Sequence, residues 1–163
     1  MSSLIDCDKV AIIGSGNWGS AIATVIGPNC ARHACLETTV QMYVYEETIT
    51  LADGTTKRHL TDLINDEHEN VRYLPGVSLP DNVVAVPDLA QACAGATLLV
   101  FVTPHQFLTK MLPVIADAVA PNCRGVNLIK GIDFDDERKQ PILISKMISM
   151  AMGRQFECGS LMG

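Results

Sequence analysis

The stretch Lys9-Val10-Ala11-Ile12-Ile13-Gly14-Ser15-Gly16-Asn17-Trp18-Gly19-Ser20-Ala21-Ile22-Ala23 decides the fold. Val10 to Ile13 form a short, unbroken apolar run, the pattern of a strand buried on both faces, and Gly14-x-Gly16-x-x-Gly19 then opens a run of helical composition. A strand, a tight turn and a helix follow from that order. Gly14 permits the turn, Gly16 lets a phosphate group approach bare backbone, and Gly19 lets the helix pack closely on the strand. The unpaired N–H groups and positive dipole end of the helix would attract a diphosphate without a lysine. The glycines alone could mark an ordinary turn. The strand before them and the Ala-containing helix after them favour a dinucleotide site.

A chain of 163 residues that is 48% hydrophobic suffices for one domain with a real core. A net charge of -6 argues against a nucleic-acid surface, which needs clustered cations, and no polybasic membrane patch is present. The N-terminus lacks the basic and apolar regions of a secretory signal, and no segment has the length and hydropathy to span a bilayer. The six cysteines contain no CxxC pair and read as free thiols. His33 and Cys35 are too sparse a grouping for zinc, and no metal is expected.

The remaining chain alternates. Thr39 to Tyr45 has strand composition, with Val40, Met42 and Val44 on one face. Asp53-Gly54 marks a turn, and Leu60, Leu63 and Ile64 have helical spacing before a polar loop over residues 65–76. Val83 to Val86 reads as a third strand, Asp88 caps a short helix over residues 89–93, and residues 98–102 form the fourth strand. Thr103-Pro104 breaks that strand, and Phe107, Leu108, Met111, Leu112 and Ile115 recur at helical spacing. Residues 126–129 read as a fifth strand, and the acidic run from Asp133 to Glu137 as a solvated face. Pro141 suits the first turn of a last helix whose stripe Ile144, Ile148 and Met152 belongs to the core, and residues 159–162 make a short sixth strand. The pattern predicts an α/β fold, a doubly wound parallel sheet of Rossmann type with strand order 3-2-1-4-5-6 and ligand at the strands' carboxyl ends.

Several residues at those ends have two readings. Glu46 is either the acid that binds the adenosine ribose or a solvated strand-end charge. Tyr45 offers a face for adenine or is a half-buried strand aromatic. Phe107 and the Thr103-Pro104 bend can wall the far end of the ligand, or merely stop a strand and start a helix. His105 could act as an acid, although no orienting partner is visible in the sequence. Lys130, before Gly131, is a cation for an anionic or carbonyl substrate or a solvated charge.

These residues resemble a known family. Gly14 to Ala23, His68-Glu69-Asn70-Val71-Arg72-Tyr73-Leu74-Pro75-Gly76, Val102 to Phe107, Leu128 to Gly131 and Leu161-Met162-Gly163 occur in order and at the spacing found in the N-terminal domain of the cytosolic, eukaryotic-type NAD-dependent glycerol-3-phosphate dehydrogenases. The resemblance implies that NAD is the cofactor. It implies cofactor contacts at Gly14, Ser15, Gly16, Asn17, Trp18, Gly19, Tyr45 and Phe107, with Lys130 binding substrate. Tyr43 and Tyr45 stand where the family commonly has tryptophan or phenylalanine. The implied reaction interconverts dihydroxyacetone phosphate and sn-glycerol 3-phosphate in the cytoplasm, with a homodimer as the complete enzyme. Residues 1–163 then form the NAD-binding domain. The family's proton-donor lysine and phosphate-binding residues lie in a helical domain after the Leu-Met-Gly run, so no catalytic residue is expected within this chain. The absence of an arginine just after the second strand, together with Glu46 and Glu47, predicts a preference for NADH over NADPH. A non-catalytic dinucleotide-binding module and a dehydrogenase of another hydroxy acid or hydroxy phosphate are the alternatives.

Overall fold

The computed structural model describes residues 7–135, 139–153 and 155–161. In chain order its elements are β1 (Val10–Ile13), α1 (Asn17–Arg32), β2 (Val40–Tyr43), β3 (Thr48–Thr50), β4 (Lys57–His59), α2 (Leu60–Glu67), β5 (Val83–Val86), α3 (Leu89–Cys93), β6 (Leu98–Phe101), α4 (Leu108–Ala118), β7 (Arg124–Asn127), β8 (Ile132–Asp135), β9 (Gln140–Leu143), α5 (Ile144–Met152) and β10 (Cys158–Ser160). Six strands form one sheet in the order β5-β2-β1-β6-β7-β10, with every neighbouring pair parallel. Counting only the strands of that sheet, the order is 3-2-1-4-5-6, the expected one. The chain winds outward from β1 in both directions, which leaves a crevice where β1 and β6 end.

β1 is central because its two side-chain sets enter different cores. Ala11 and Ile13 join Leu99, Phe101, Leu108, Leu112, Ile115 and Ile148 on the face covered by α4 and α5. Val10 and Ile12 join Val40, Met42, Ala23, Leu60 and Ile64 on the face covered by α1 and α2. Phe101 is fully buried and meets Phe156 edge-on at 6.4 Å between centroids. Truncating it to alanine would cost about 3–5 kcal/mol. Asp88 caps α3 by accepting the Gln91 N–H at 2.7 Å. In α5, Ile144 and Ile148 are buried and Met152 packs partly against them.

The structure corrects several boundaries. The fifth parallel strand is Arg124–Asn127, two residues earlier than the apolar run suggested. Gly125 is needed there because a Cβ would lie 2.9 Å from the Phe156 ring. The segments around residues 48–59 and 132–143 form antiparallel hairpins outside the main sheet. Asp53 organises the first turn by accepting the Thr55 and Thr56 N–H groups at 2.9 and 2.8 Å, and Gly54 adopts φ +74°. Asp133 belongs to β8, whereas Asp136 and Glu137 of the acidic run lie outside the described residues. Pro141 sits in β9 rather than in a helical turn. Its lack of an N–H is harmless on an edge strand, and α5 begins at Ile144. α1 runs through Gly27 and Pro28 to Arg32. The sixth strand is Cys158–Ser160; Met162 and Gly163 of the expected strand and of the Leu-Met-Gly run lie outside the described residues.

Candidate functional site

Gly14 leaves β1 at φ +120°, a conformation costly for other residues, and a Cβ on it would come within 3.0 Å of the Thr103 nitrogen just past β6. The two central strands therefore end almost in contact at the switch point. Gly16 is the N-cap of α1, with ordinary extended φ −62° and ψ −174°; a Cβ built there meets no atom within 4 Å. At Gly19 a Cβ would stand 2.1 Å from the Gly14 carbonyl oxygen, so helix and turn can touch only because this residue has no side chain.

The start of α1 carries no capping side chain and no acid in its first turn. Backbone N–H groups at such a terminus need an acceptor, and the aligned peptide dipoles favour an anion. The open space at Gly16 gives an anion room to reach them. Ser15 is buried, while the Asn17 side chain donates to the Tyr73 carbonyl at 3.1 Å. That bond uses one of the two Nδ2 donors of Asn17, and its second N–H and its main chain are left for an anion at this terminus.

Beside this terminus lies a cleft of about 630 Å³ lined by Trp18, Val102, Thr103, Pro104, Leu128, Ile129, Lys130 and Leu161. Its shape follows from two turns. Thr103-Pro104 takes the chain out of β6 and into a 3-10 turn, His105–Phe107. After β7, buried Asn127 accepts the Ile129 N–H at 2.9 Å and donates to the Ile129 carbonyl at 3.3 Å. That local clamp swings Leu128 to Lys130 into the wall. Lys130 is exposed and, among the described residues, has no ion-pair partner, leaving its ammonium available to an anion.

Trp18, 67% exposed, and Lys130 come together across one cleft. Tyr45, 74% exposed, and Phe107, 48% exposed, do not line it. Tyr45 follows the end of β2, and Phe107 closes the turn after Pro104. His105 is exposed and has no side-chain hydrogen bond among the described residues. Glu46 accepts both the Thr61 hydroxyl and, at 3.3 Å, the Thr61 N–H. It is engaged at the start of α2, a role not foreseen from its place after a strand.

The polar loop over residues 68–76 brings groups that composition did not single out. Asn70 is completely buried and donates to the Ser15 carbonyl and the Ser20 hydroxyl, both at 2.8 Å. Its carbonyl oxygen accepts the Tyr73 N–H at 3.1 Å. The Tyr73 hydroxyl donates to Glu47, and this bond helps push the phenol's pKa up. Arg72 approaches the same carboxylate at 3.5 Å and lies over the Tyr73 ring. The loop therefore ties the glycine turn to the segment after β2.

Strand order and glycine turn define the class: a doubly wound, Rossmann-type domain with an anion-attracting helix terminus at its switch point. The family model of the NAD-dependent glycerol-3-phosphate dehydrogenase N-terminus matches residues 9–163, and the chain belongs to that family. It is 52% identical over 145 residues to the glycerol-3-phosphate dehydrogenase 1-like protein of Danio rerio, covering 89% of this chain and 39% of that protein. Against the cytoplasmic NAD(+) glycerol-3-phosphate dehydrogenase of Rattus norvegicus the identity is 48%, with the same coverage. The chain thus spans about two fifths of the length of these relatives. The solved glycerol-3-phosphate dehydrogenase of Saccharomyces cerevisiae superimposes with a TM-score of 0.82 at 38% identity, covering 94% of this chain and 41% of that one. The Plasmodium falciparum enzyme gives 0.80 at 35% identity, covering 94% and 40%.

Proposed function

We propose that residues 1–163 are the NAD-binding domain of a cytoplasmic glycerol-3-phosphate dehydrogenase, whose complete form converts dihydroxyacetone phosphate and NADH to sn-glycerol 3-phosphate and NAD. The observation that carries this reading is the uncapped, acid-free N-terminus of α1, opened to an anion by Gly16 beside a cleft of dinucleotide scale. The residues fit the cofactor: Gly14, Ser15, Gly16, Asn17, Trp18 and Gly19 form the diphosphate end, while Tyr45 and Phe107 offer exposed aromatic faces beyond it. Bound NADH supplies the hydride. Trp18, Thr103, Pro104 and Ile129 screen one side of the cleft from water, and Lys130 holds an anionic or carbonyl oxygen of the substrate. As the carbonyl oxygen gains charge it needs a proton donor within hydrogen-bond reach. Lys130 serves binding in this reading and His105 has no side-chain hydrogen bond among the described residues to orient it, so this reading takes the donor from the helical domain that the family resemblance implies.

The cytoplasmic location is supported by the names of the relatives and is compatible with the finding that no described helix is long and apolar enough to cross a membrane. The homodimer belongs to the same reading and rests on the family resemblance. A net charge of -6 supports the expectation that neither nucleic acid nor an anionic membrane is a partner.

The test is titration of the 163-residue chain with NADH, followed by assay with dihydroxyacetone phosphate, alone and on a chain extended through a helical domain. Binding by the short chain and turnover only by the extended one are expected. Failure to bind NADH overturns the reading; turnover by the short chain would place the donor within these residues, with His105 the first candidate. Binding without turnover by either chain would leave a nucleotide-binding module.

A further inference from the structure

We propose that Asn70 is a positioning residue for the diphosphate end of the nucleotide site, holding the Ser15–Gly16 peptide so that its N–H faces the open side of the turn. The inference rests on the nucleotide-binding reading above. Asn70 comes from a loop more than fifty residues later in the chain, yet its side chain is fully buried against the glycine turn. Both its donor bonds are made there: one to the Ser15 carbonyl and one to the Ser20 hydroxyl, each 2.8 Å long. The Tyr73 N–H, at 3.1 Å from its oxygen, fixes which end of the amide is which, because the reversed amide would set donor against donor.

The Ser15 carbonyl also accepts the Ser20 hydroxyl at 3.2 Å, so two side chains hold it inward. All described peptide bonds are trans, and in a planar trans peptide the N–H points opposite to the C=O. The Gly16 N–H must therefore point away from Asn70. Among the described residues it has no hydrogen-bond acceptor, and the space about the Gly16 Cβ position is clear for 4 Å. A donor without a protein partner, locked in direction by a buried amide, is arranged for an external acceptor. Without Asn70 only the longer Ser20 bond would hold the peptide, and the direction of that donor would be less fixed before the ligand arrived.

The experiment compares the 163-residue chain with Asn70→Ala, using NADH, ADP and adenosine as ligands, with thermal melting to confirm folding. Folded Asn70→Ala should bind NADH and ADP about tenfold or more weakly, the loss expected for a misplaced hydrogen bond to a charged group. Its adenosine affinity, which involves no phosphate, should be unchanged. Equal weakening of all three ligands would show a merely structural role, and undiminished ADP binding would also overturn the inference. If Asn70→Ala does not fold, amide NMR of the unaltered chain decides the matter. The Gly16 N–H resonance should shift far more with ADP than with adenosine, and an equal or absent response overturns the inference. Should the unaltered chain bind neither NADH nor ADP, the nucleotide reading falls and this one with it. Binding by the unaltered chain with no effect at Asn70 removes this inference alone.

Discussion

The Gly14 carbonyl oxygen lies only 2.1 Å from the place a Cβ would occupy on Gly19, and the two residues belong to the turn and to the first turn of the helix that it launches. Because the obstacle is backbone, no rotamer change can relieve it. Gly19→Ala should cost about 3 kcal/mol, the upper end of overpacking penalties, and lower the melting temperature. Gly16→Val should keep stability within about 1 kcal/mol, since its backbone is ordinary, while abolishing NADH binding. Melting curves beside NADH titrations check both; normal stability in Gly19→Ala would refute the contact.

Cofactor choice is predicted to turn on Glu47. Arg72 lies near the segment after β2, but its Nε is 3.5 Å from the Glu47 carboxylate, which offsets its attraction for a 2′-phosphate. NADPH should bind about tenfold more weakly than NADH at low salt. Glu47→Gln should narrow that gap by releasing Arg72, and competition titrations with both cofactors measure it. Equal affinities in the unaltered chain would contradict the assignment.

Asp8 provides an acid-sensitive tie between the sheet's N-terminal ends. Arg124 grips its carboxylate at 3.2 and 2.6 Å and Thr97 donates at 2.8 Å. The Arg124 hydrogen bond is the largest influence holding its pKa below the usual 3.8, against the opposing effect of burial. A carboxylate with a depressed folded pKa contributes stability that is intact above its unfolded value and lost as pH falls through the folded one. The melting temperature of the unaltered chain should therefore exceed that of Asp8→Asn by a constant margin from about pH 7 to 5, a margin that closes below about pH 4. A gap independent of pH would contradict the ion pair.

Burial pushes the Cys93 thiol up to about 12 and Cys123 up to about 11, and raises Cys30 as well. Thiolate is the nucleophile, so these groups should resist iodoacetamide at about pH 8 in the folded chain. Exposed Cys35 should be alkylated. Mass spectrometry with and without denaturant gives the comparison, and rapid native labelling of Cys93 would mean that its core opens readily.

The parallel sheet was legible because Val10–Ile13 and Val83–Val86 are apolar runs bounded by turn residues, the strongest signal a buried strand can give. The same signal sets β7 two residues too late, because it favours Leu128 and Ile129 over Arg124 and Gly125. Those two apolar residues leave the sheet for the cleft, and an arginine at a strand's start is exposed and paired with Asp8. Three-residue strands such as Thr48–Thr50 are too short to show alternation. In the sequence Asn70 is only one residue of a run that matches the family: a buried asparagine in a polar loop looks like any solvated one until folding sets its amide on the Ser15 carbonyl. Gly14 and Gly19 are readable because close approach leaves only glycine possible there, whereas Glu46's engagement by Thr61 depends on a helix that packs back from fifteen residues away.

The central position of β1 also sets the order in which the molecule can be completed during synthesis. Val10 pairs with Leu98 and Ile13 with Phe101, so one edge of β1 must wait for residues nearly ninety positions later. At ordinary translation rates that delay is on the order of ten seconds. Throughout it, an apolar strand edge stands open on the nascent chain, and the glycine turn lacks Thr103 against which to close. Among the strands of this sheet, β1, buried at every residue, is thus the one that waits longest for its second neighbour, and until then chaperones and neighbouring chains compete for its open edge.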